Sequence, residues 1–152
     1  MFKKILVPSD LSEQSLAAIQ AAVELARTLK SELFLLNVRP EFMRKEEMEM
    51  LRVSTQKFLK DEKEIAVSAK STLEDLLKRA GGTDLPHKVL LREGDHRDEI
   101  LATAKEVDCD LIILTTTGRS HLMEHLHGSD SEQLVRETRI PILVIPVSKQ
   151  AK

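Results

Sequence analysis

The residues of this chain best suited to chemistry lie in the segment DLIILTTTGRSHLMEHLHGSDS, residues 110–131. Gly118 is followed after nine residues by Gly128, with Ser129 directly behind it and Ser131 close by. Glycine lets backbone approach a ligand that a side chain would hold off, and free N–H groups at a helix start favour negative charge. The apolar run Leu111-Ile112-Ile113-Leu114 ahead of the loop reads as a buried strand. A strand, a loop with spaced glycines and a serine at a helix start together cradle an anion, and phosphate is the obvious guest.

Neighbouring residues are less committed. Arg119 beside Gly118 either reaches a phosphate or stays a solvated loop cation. His121 and His125, with Glu124 and His127 nearby, have a spacing that can bind a transition metal on a helix, but no second ligand cluster accompanies them, so they read as solvated surface. Cys109 is the single cysteine, so no intrachain disulfide forms, and its place before an apolar strand suits a small packing residue. A formal net charge of −2, four Phe and no Trp or Tyr give nucleic acid neither attraction nor a stacking platform. No signal-peptide pattern and no apolar stretch long enough to span a bilayer are visible, so no membrane association is expected and the chain reads as cytoplasmic.

The elements that must position the loop alternate along the chain. Ile5-Leu6-Val7 is a strand that ends at Pro8, which cannot donate to a ladder. Asp10 or Ser12 caps a helix expected from about residue 12 to 30, whose buried stripe is Leu16, Ile19, Val23, Ala26 and Leu29. Leu33 to Val38 is a second strand, apolar nearly throughout, ended by Pro40. From Glu41 to Ala80 a charged helical pattern carries Met48, Leu51, Phe58, Ile65, Ala69 and Leu76 as its apolar marks, interrupted at Thr55 and Glu62 and stopped by Gly81-Gly82. Val89-Leu90-Leu91 is a third strand. A helix carrying Ile100, Leu101 and Ala104 follows, then the strand from Asp110 to Leu114, a short helix from Ser129 to about Arg136, and a last strand within Pro141 to Pro146.

Five apolar strands separated by helices imply right-handed crossovers and a parallel sheet covered on both faces, a three-layer α/β/α fold in a single domain. Ligands of such sheets bind beyond the carboxyl ends of the strands. Pro8-Ser9-Asp10, Val38-Arg39-Pro40 and Thr115 to Ser131 converge there.

With these residues in place, the chain resembles the universal stress protein family, in its nucleotide-binding branch, over nearly its whole length. The likeness rests on KKILVPSDLSEQS, LFLLNV, REGDHRDEI, LIILTTTGRSHLMEHLHGSDSEQLVRE and IPILVIPV. It implies a domain over residues 1–148 with a Rossmann-like fold of the adenine nucleotide α hydrolase type, strand order 3-2-1-4-5. It further implies ATP bound with Mg²⁺ or Mn²⁺. Asp10 matches the family's acidic residue near nucleotide and metal, and Val38 the position whose main chain hydrogen-bonds adenine. Pro8, Ser9, Thr115, Gly118, Arg119, Gly128, Ser129 and Ser131 complete the expected site. Thr115 stands where ATP-binding members carry the first motif glycine, and its side chain narrows that approach. Asp130, where an apolar residue is usual, adds negative charge that Arg119 or a cation must offset.

The uniformly apolar run Ile142 to Ile145 falls at a sheet edge, which favours pairing with another chain, and the resemblance likewise implies a homodimer through Pro141 to Val147. The expected function is an ATP-binding stress-response sensor or regulator. The lysine of a phosphate-binding G-x-x-x-x-G-K-[ST] loop is missing and no base is nominated, so hydrolysis would be slow or partner-dependent. A dimeric adaptor without nucleotide and a slow ATP hydrolase are the alternatives.

Overall fold

The computed structural model describes residues 1–41, 45–50, 55–115 and 134–147. Along them run β1 (Lys4–Pro8), a 3-10 turn (Glu13–Ser15), α1 (Leu16–Leu29), β2 (Glu32–Arg39), α2 (Lys45–Met50), α3 (Thr55–Arg79), β3 (His87–Glu93), α4 (His96–Val107), β4 (Leu111–Thr115) and β5 (Ile142–Ile145). Residues 134–137 add a helical turn before β5. The strands form one five-stranded parallel sheet in the order β3-β2-β1-β4-β5, as the sequence leads one to expect.

Alternation of side chains along the central strands divides the core into two layers. Ile5, Val7, Leu33, Leu35 and Ile113 meet Ile19, Val23 and Ala26 of α1 and Leu73, Leu76 and Leu77 of α3. Leu6, Phe34, Leu36 and Ile112 meet Ile100 and Ala104 of α4 and Leu134 on the opposite face. Burial on both faces is why β1, β2 and β4 read as continuous apolar runs; each such side chain contributes about 1.5–3 kcal/mol relative to exposure.

Local chemistry fixes the ends of the elements. Asp95 caps α4 by accepting from the Asp98 N–H at 3.0 Å. Asp110 anchors the start of β1, accepting from the N–H groups of Lys3 and Lys4, each at 3.0 Å. Burial alone would raise the Asp110 pKa, but these donors outweigh it and the pKa is lowered. Gly81, at φ +77°, ends α3, and a Cβ on Gly82 would come within 2.6 Å of the Val23 side chain.

Three expectations need correction. The helix expected from residue 12 begins as a 3-10 turn and becomes α1 only at Leu16, because Ser15 bends back to Ser12, whose carbonyl accepts from the Ser15 N–H at 3.1 Å and from its Oγ at 2.7 Å. Neither Asp10 nor Ser12 caps α1; its N-cap is Ser15, with no side-chain capping bond.

Of the charged pattern from Glu41 to Ala80, Lys45–Met50 and Thr55–Arg79 are helical, as α2 and α3. Within α3, Ala69 and Leu76 are buried as expected, joined by Leu73 and Leu77, but Ile65 is 48% exposed and Leu59 and Val67 are each 60% exposed. A helix of 25 residues spans about 37 Å, whereas a strand of β3's length spans about 23 Å, so the N-terminal part of α3 runs past the sheet. Glu62 interrupts the apolar stripe because it forms an ion pair with Arg39 at the end of β2, at 3.2 Å.

At the sheet edge, strand periodicity places Leu143 and Val144 on opposite faces, so that one of them would be covered by the chain's own core. Both are exposed instead, at 37% and 44%, while Ile142 and Ile145 at the ends of the strand pack against the two layers.

Candidate crevice at the carboxyl ends of the strands

The chain winds from β1 through β2 to β3 and then returns to place β4 on the other side of β1. The chain leaves β1 for α1 on one face of the sheet and reaches β4 from α4 on the other, and the carboxyl ends of β1 and β4 are where such sheets receive ligands. Pro8, Ser9 and Asp10 leave β1 there, Val38 lies beside them near the end of β2, and Thr115 ends β4. The structure thus brings together five of the expected site residues. Gly118, Arg119, Gly128, Ser129 and Ser131, like Asp130 and the three histidines after Arg119, lie outside the described residues.

The β1–α1 loop is held by a chain of hydrogen bonds. The Leu11 N–H donates to Ser9 Oγ at 3.0 Å, Ser9 Oγ meets Ser15 Oγ at 2.8 Å, and Ser15 Oγ donates to the Ser12 carbonyl. Because the Ser15 hydroxyl proton is used on that carbonyl, the Ser9 hydroxyl donates to Ser15. Leu11 takes a left-handed conformation, φ 69°, which turns the chain sharply out of line with the sheet. Asp10 Oδ1 accepts from the N–H of Ser12 at 2.9 Å and from its hydroxyl, an Asx turn that fixes the carboxylate at the mouth of the crevice.

Parallel ladders send the peptide groups of a strand alternately to its two neighbours. On the β1 side of β2, Glu32 N–H donates to Lys3 at 2.8 Å and the Leu36 carbonyl accepts from Ser9 at 2.7 Å. On the β3 side, Leu33 N–H donates to Pro86 at 2.9 Å and the Arg39 carbonyl accepts from Gly94 at 2.8 Å. Val38, in step with Glu32 and Leu36, therefore turns its N–H and C=O toward β1. Continuing the ladder would join Val38 N–H to the Ser9 carbonyl, and Leu11 N–H to the Val38 carbonyl. Among the described residues neither bond forms. Leu11 N–H is held by Ser9 Oγ, and the Ser9 carbonyl accepts from Asn37 Nδ2 at 3.0 Å. Val38 is only 3% exposed, so a donor and an acceptor stand side by side in a sheltered position. That pair can bind the edge of a planar heterocycle carrying the complementary acceptor and donor.

Asn37 and Ser15 escaped the sequence reading. The signal for Asn37 is a lone amide in an otherwise apolar buried strand; it is 5% exposed and its Oδ1 has no hydrogen-bond partner among the described residues. Thr115 is 5% exposed, pairs with Ile145 and has no left-handed backbone, so a glycine there would matter for room rather than for φ. Cys109 is buried, and loss of hydration pushes its thiol up to about 11, which keeps it protonated and unreactive. No group of three or more His, Cys, Asp or Glu able to hold a metal occurs among the described residues. No helix among them is long and apolar enough to cross a membrane.

A family model of the universal stress protein family matches residues 1–146. The universal stress protein MJ0577 of Methanocaldococcus jannaschii is 29% identical over 155 residues, covering 95% of each chain. A solved structure reported for MJ0577 superposes with a TM-score of 0.74 at 26% identity, covering 99% of each chain. Two more distant structures share the fold. A universal stress protein in complex with cAMP gives a TM-score of 0.66 at 20% identity, with 97% of this chain and 98% of that one covered. The universal stress protein from Archaeoglobus fulgidus in complex with dAMP gives 0.61 at 19%, with 95% and 98% covered. The chain belongs to the universal stress protein family.

Proposed function

We propose that this chain, a single domain over residues 1–148, binds ATP in the crevice between the ends of β1, β2 and β4 and acts in the cytoplasm as a homodimeric stress-response sensor or regulator. The observation that carries the reading is the sheltered N–H and C=O of Val38, turned toward β1 and left without a ladder partner. Adenine presents a ring-nitrogen acceptor beside an amino donor, which complements that pair. Relatives of the same fold in complex with cAMP and dAMP support an adenine nucleotide as the ligand.

Gly118 and Gly128 give the phosphates room, and Arg119, Ser129 and Ser131 contact them. Pro8 and Ser9 line the mouth, Asp10 faces the ribose and phosphate side, and Thr115 borders the nucleotide. A divalent ion fits one protein carboxylate, because Mg²⁺ takes most of its remaining ligands from phosphate and water. Asp10 would hold Mg²⁺ or Mn²⁺, which would supply charge neutralisation for the phosphates. No described residue is placed to activate water, so catalysis is slight and the nucleotide acts mainly to set the protein's state. Dimerisation proceeds through Pro141 to Val147, where Leu143 and Val144 offer exposed apolar surface on an edge strand.

A second reading, an adaptor that has lost nucleotide, is favoured by Thr115, whose buried side chain occupies the end of β4. Purified protein distinguishes the two. Chromatography of the supernatant after denaturation is expected to show released ATP, and added millimolar ATP to raise the Tm of stripped protein. An empty supernatant together with an unmoved Tm would establish the adaptor.

A further inference from the structure

We propose that Asn37 is the positioning residue that keeps the main chain of Val38 open to the nucleotide base. The inference rests on reading the crevice as a nucleotide site. Up to Ser9 the β1–β2 ladder is in register, since Ser9 N–H still donates to the Leu36 carbonyl at 2.7 Å. The next rung would take Val38 N–H to the Ser9 carbonyl and extend the sheet across the place the base must occupy. Asn37 competes with this rung by donating Nδ2 to that carbonyl at 3.0 Å. Its amide orientation follows from the partner, because a carbonyl accepts and only the NH₂ end can donate.

Ser9 Oγ acts in the same way on the following rung, capturing the Leu11 N–H that would otherwise reach the Val38 carbonyl. The ladder therefore ends where two side chains take up its next groups, Asn37 on β2 and Ser9 just after β1, and where the left-handed Leu11 turns the chain away. Asn37 and Ser9 both lie buried, at 5% and 0% exposure, so these bonds meet little competition from water. An apolar residue at position 37 frees the Ser9 carbonyl, for which the ladder donor among the described residues is the Val38 N–H. The base then has to displace an internal hydrogen bond before it can bind.

Amide hydrogen exchange followed by NMR, beside ATP titration, tests this with Asn37→Leu and with the smaller Asn37→Ala, which avoids overpacking. In nucleotide-free wild-type protein the Val38 amide is expected to exchange at least about tenfold faster than the Leu36 amide, which is in the ladder. Either variant should slow Val38 exchange by about tenfold and weaken ATP binding by about tenfold, the equivalent of one competing hydrogen bond. Wild-type Val38 already as protected as Leu36, or variants that lose ATP affinity with Val38 exchange unchanged, would overturn the proposal. Slowed Val38 exchange in the variants, with no ATP binding even by wild type, would leave the ladder-ending role standing and refute the nucleotide reading instead.

Discussion

Asp84 is a described residue whose ionisation is shaped chiefly by a single partner. Both of its oxygens accept from Arg27, at 2.8 and 3.0 Å, tying the turn before β3 to the last turn of α1. That hydrogen-bonded guanidinium lowers the Asp84 pKa from 3.8 to about 2. A carboxylate depressed in the folded state stabilises it above the unfolded pKa, and the contribution is lost as pH falls through the folded value. The pair is exposed, so the effect is small and weakened by salt. Thermal unfolding of Asp84→Asn beside wild type is expected to show a lower Tm for the variant at pH 6, with the gap closing between pH 4 and pH 2. A gap that persists unchanged at pH 2 would mean that the carboxylate's charge plays no part.

At this scale the sequence was least informative about the crevice. Asp10 and Val38 are nominated by the family motif alone, whereas no local pattern announces the hydrogen bonds of Asn37 and Ser9 that surround Val38. Leu11 is similar: its left-handed backbone costs an L-residue about 1–2 kcal/mol, and no glycine marks the turn. The bonds around Ser9 and Ser15 over-determine the loop and offset that strain.

Among the elements, β5 bears most directly on assembly. It pairs with β4 on one side and forms the sheet edge on the other. Its two central side chains are exposed, in contrast to the single covered residue that strand periodicity suggests, because the two core layers reach Ile142 and Ile145 but not the middle of the strand. Leu143→Asp and Val144→Asp should therefore each yield a folded monomer, since neither buries charge within its own subunit. Sedimentation and circular dichroism would check it. Dimers of both variants would place association on another surface, and unfolding of either would show that the strand is covered by its own subunit. The boundaries of α3 illustrate a different limit of sequence reading. Helical spacing identifies a face, but not how far the sheet beneath it extends, so Ile65 was grouped with Ala69 although only Ala69 has strands to pack on.

For the molecule as a whole, the sheet and its strand order were legible because doubly covered parallel strands give unbroken apolar runs, and because crossovers allow few windings. That winding creates the crevice, and the crevice brings Pro8, Ser9, Asp10, Val38 and Thr115 to one place from separate parts of the chain. An adenine nucleotide is proposed to occupy it. Isothermal titration of nucleotide-stripped protein with ATP, alongside Gly118→Val and Gly128→Val, decides whether it does. The expected result is saturable binding by wild type at a single site per chain, lost in both variants while their sedimentation is unchanged, because a side chain at either glycine intrudes where backbone must approach phosphate. Absence of binding by wild type at millimolar ATP, or unchanged affinity in both variants, would contradict it.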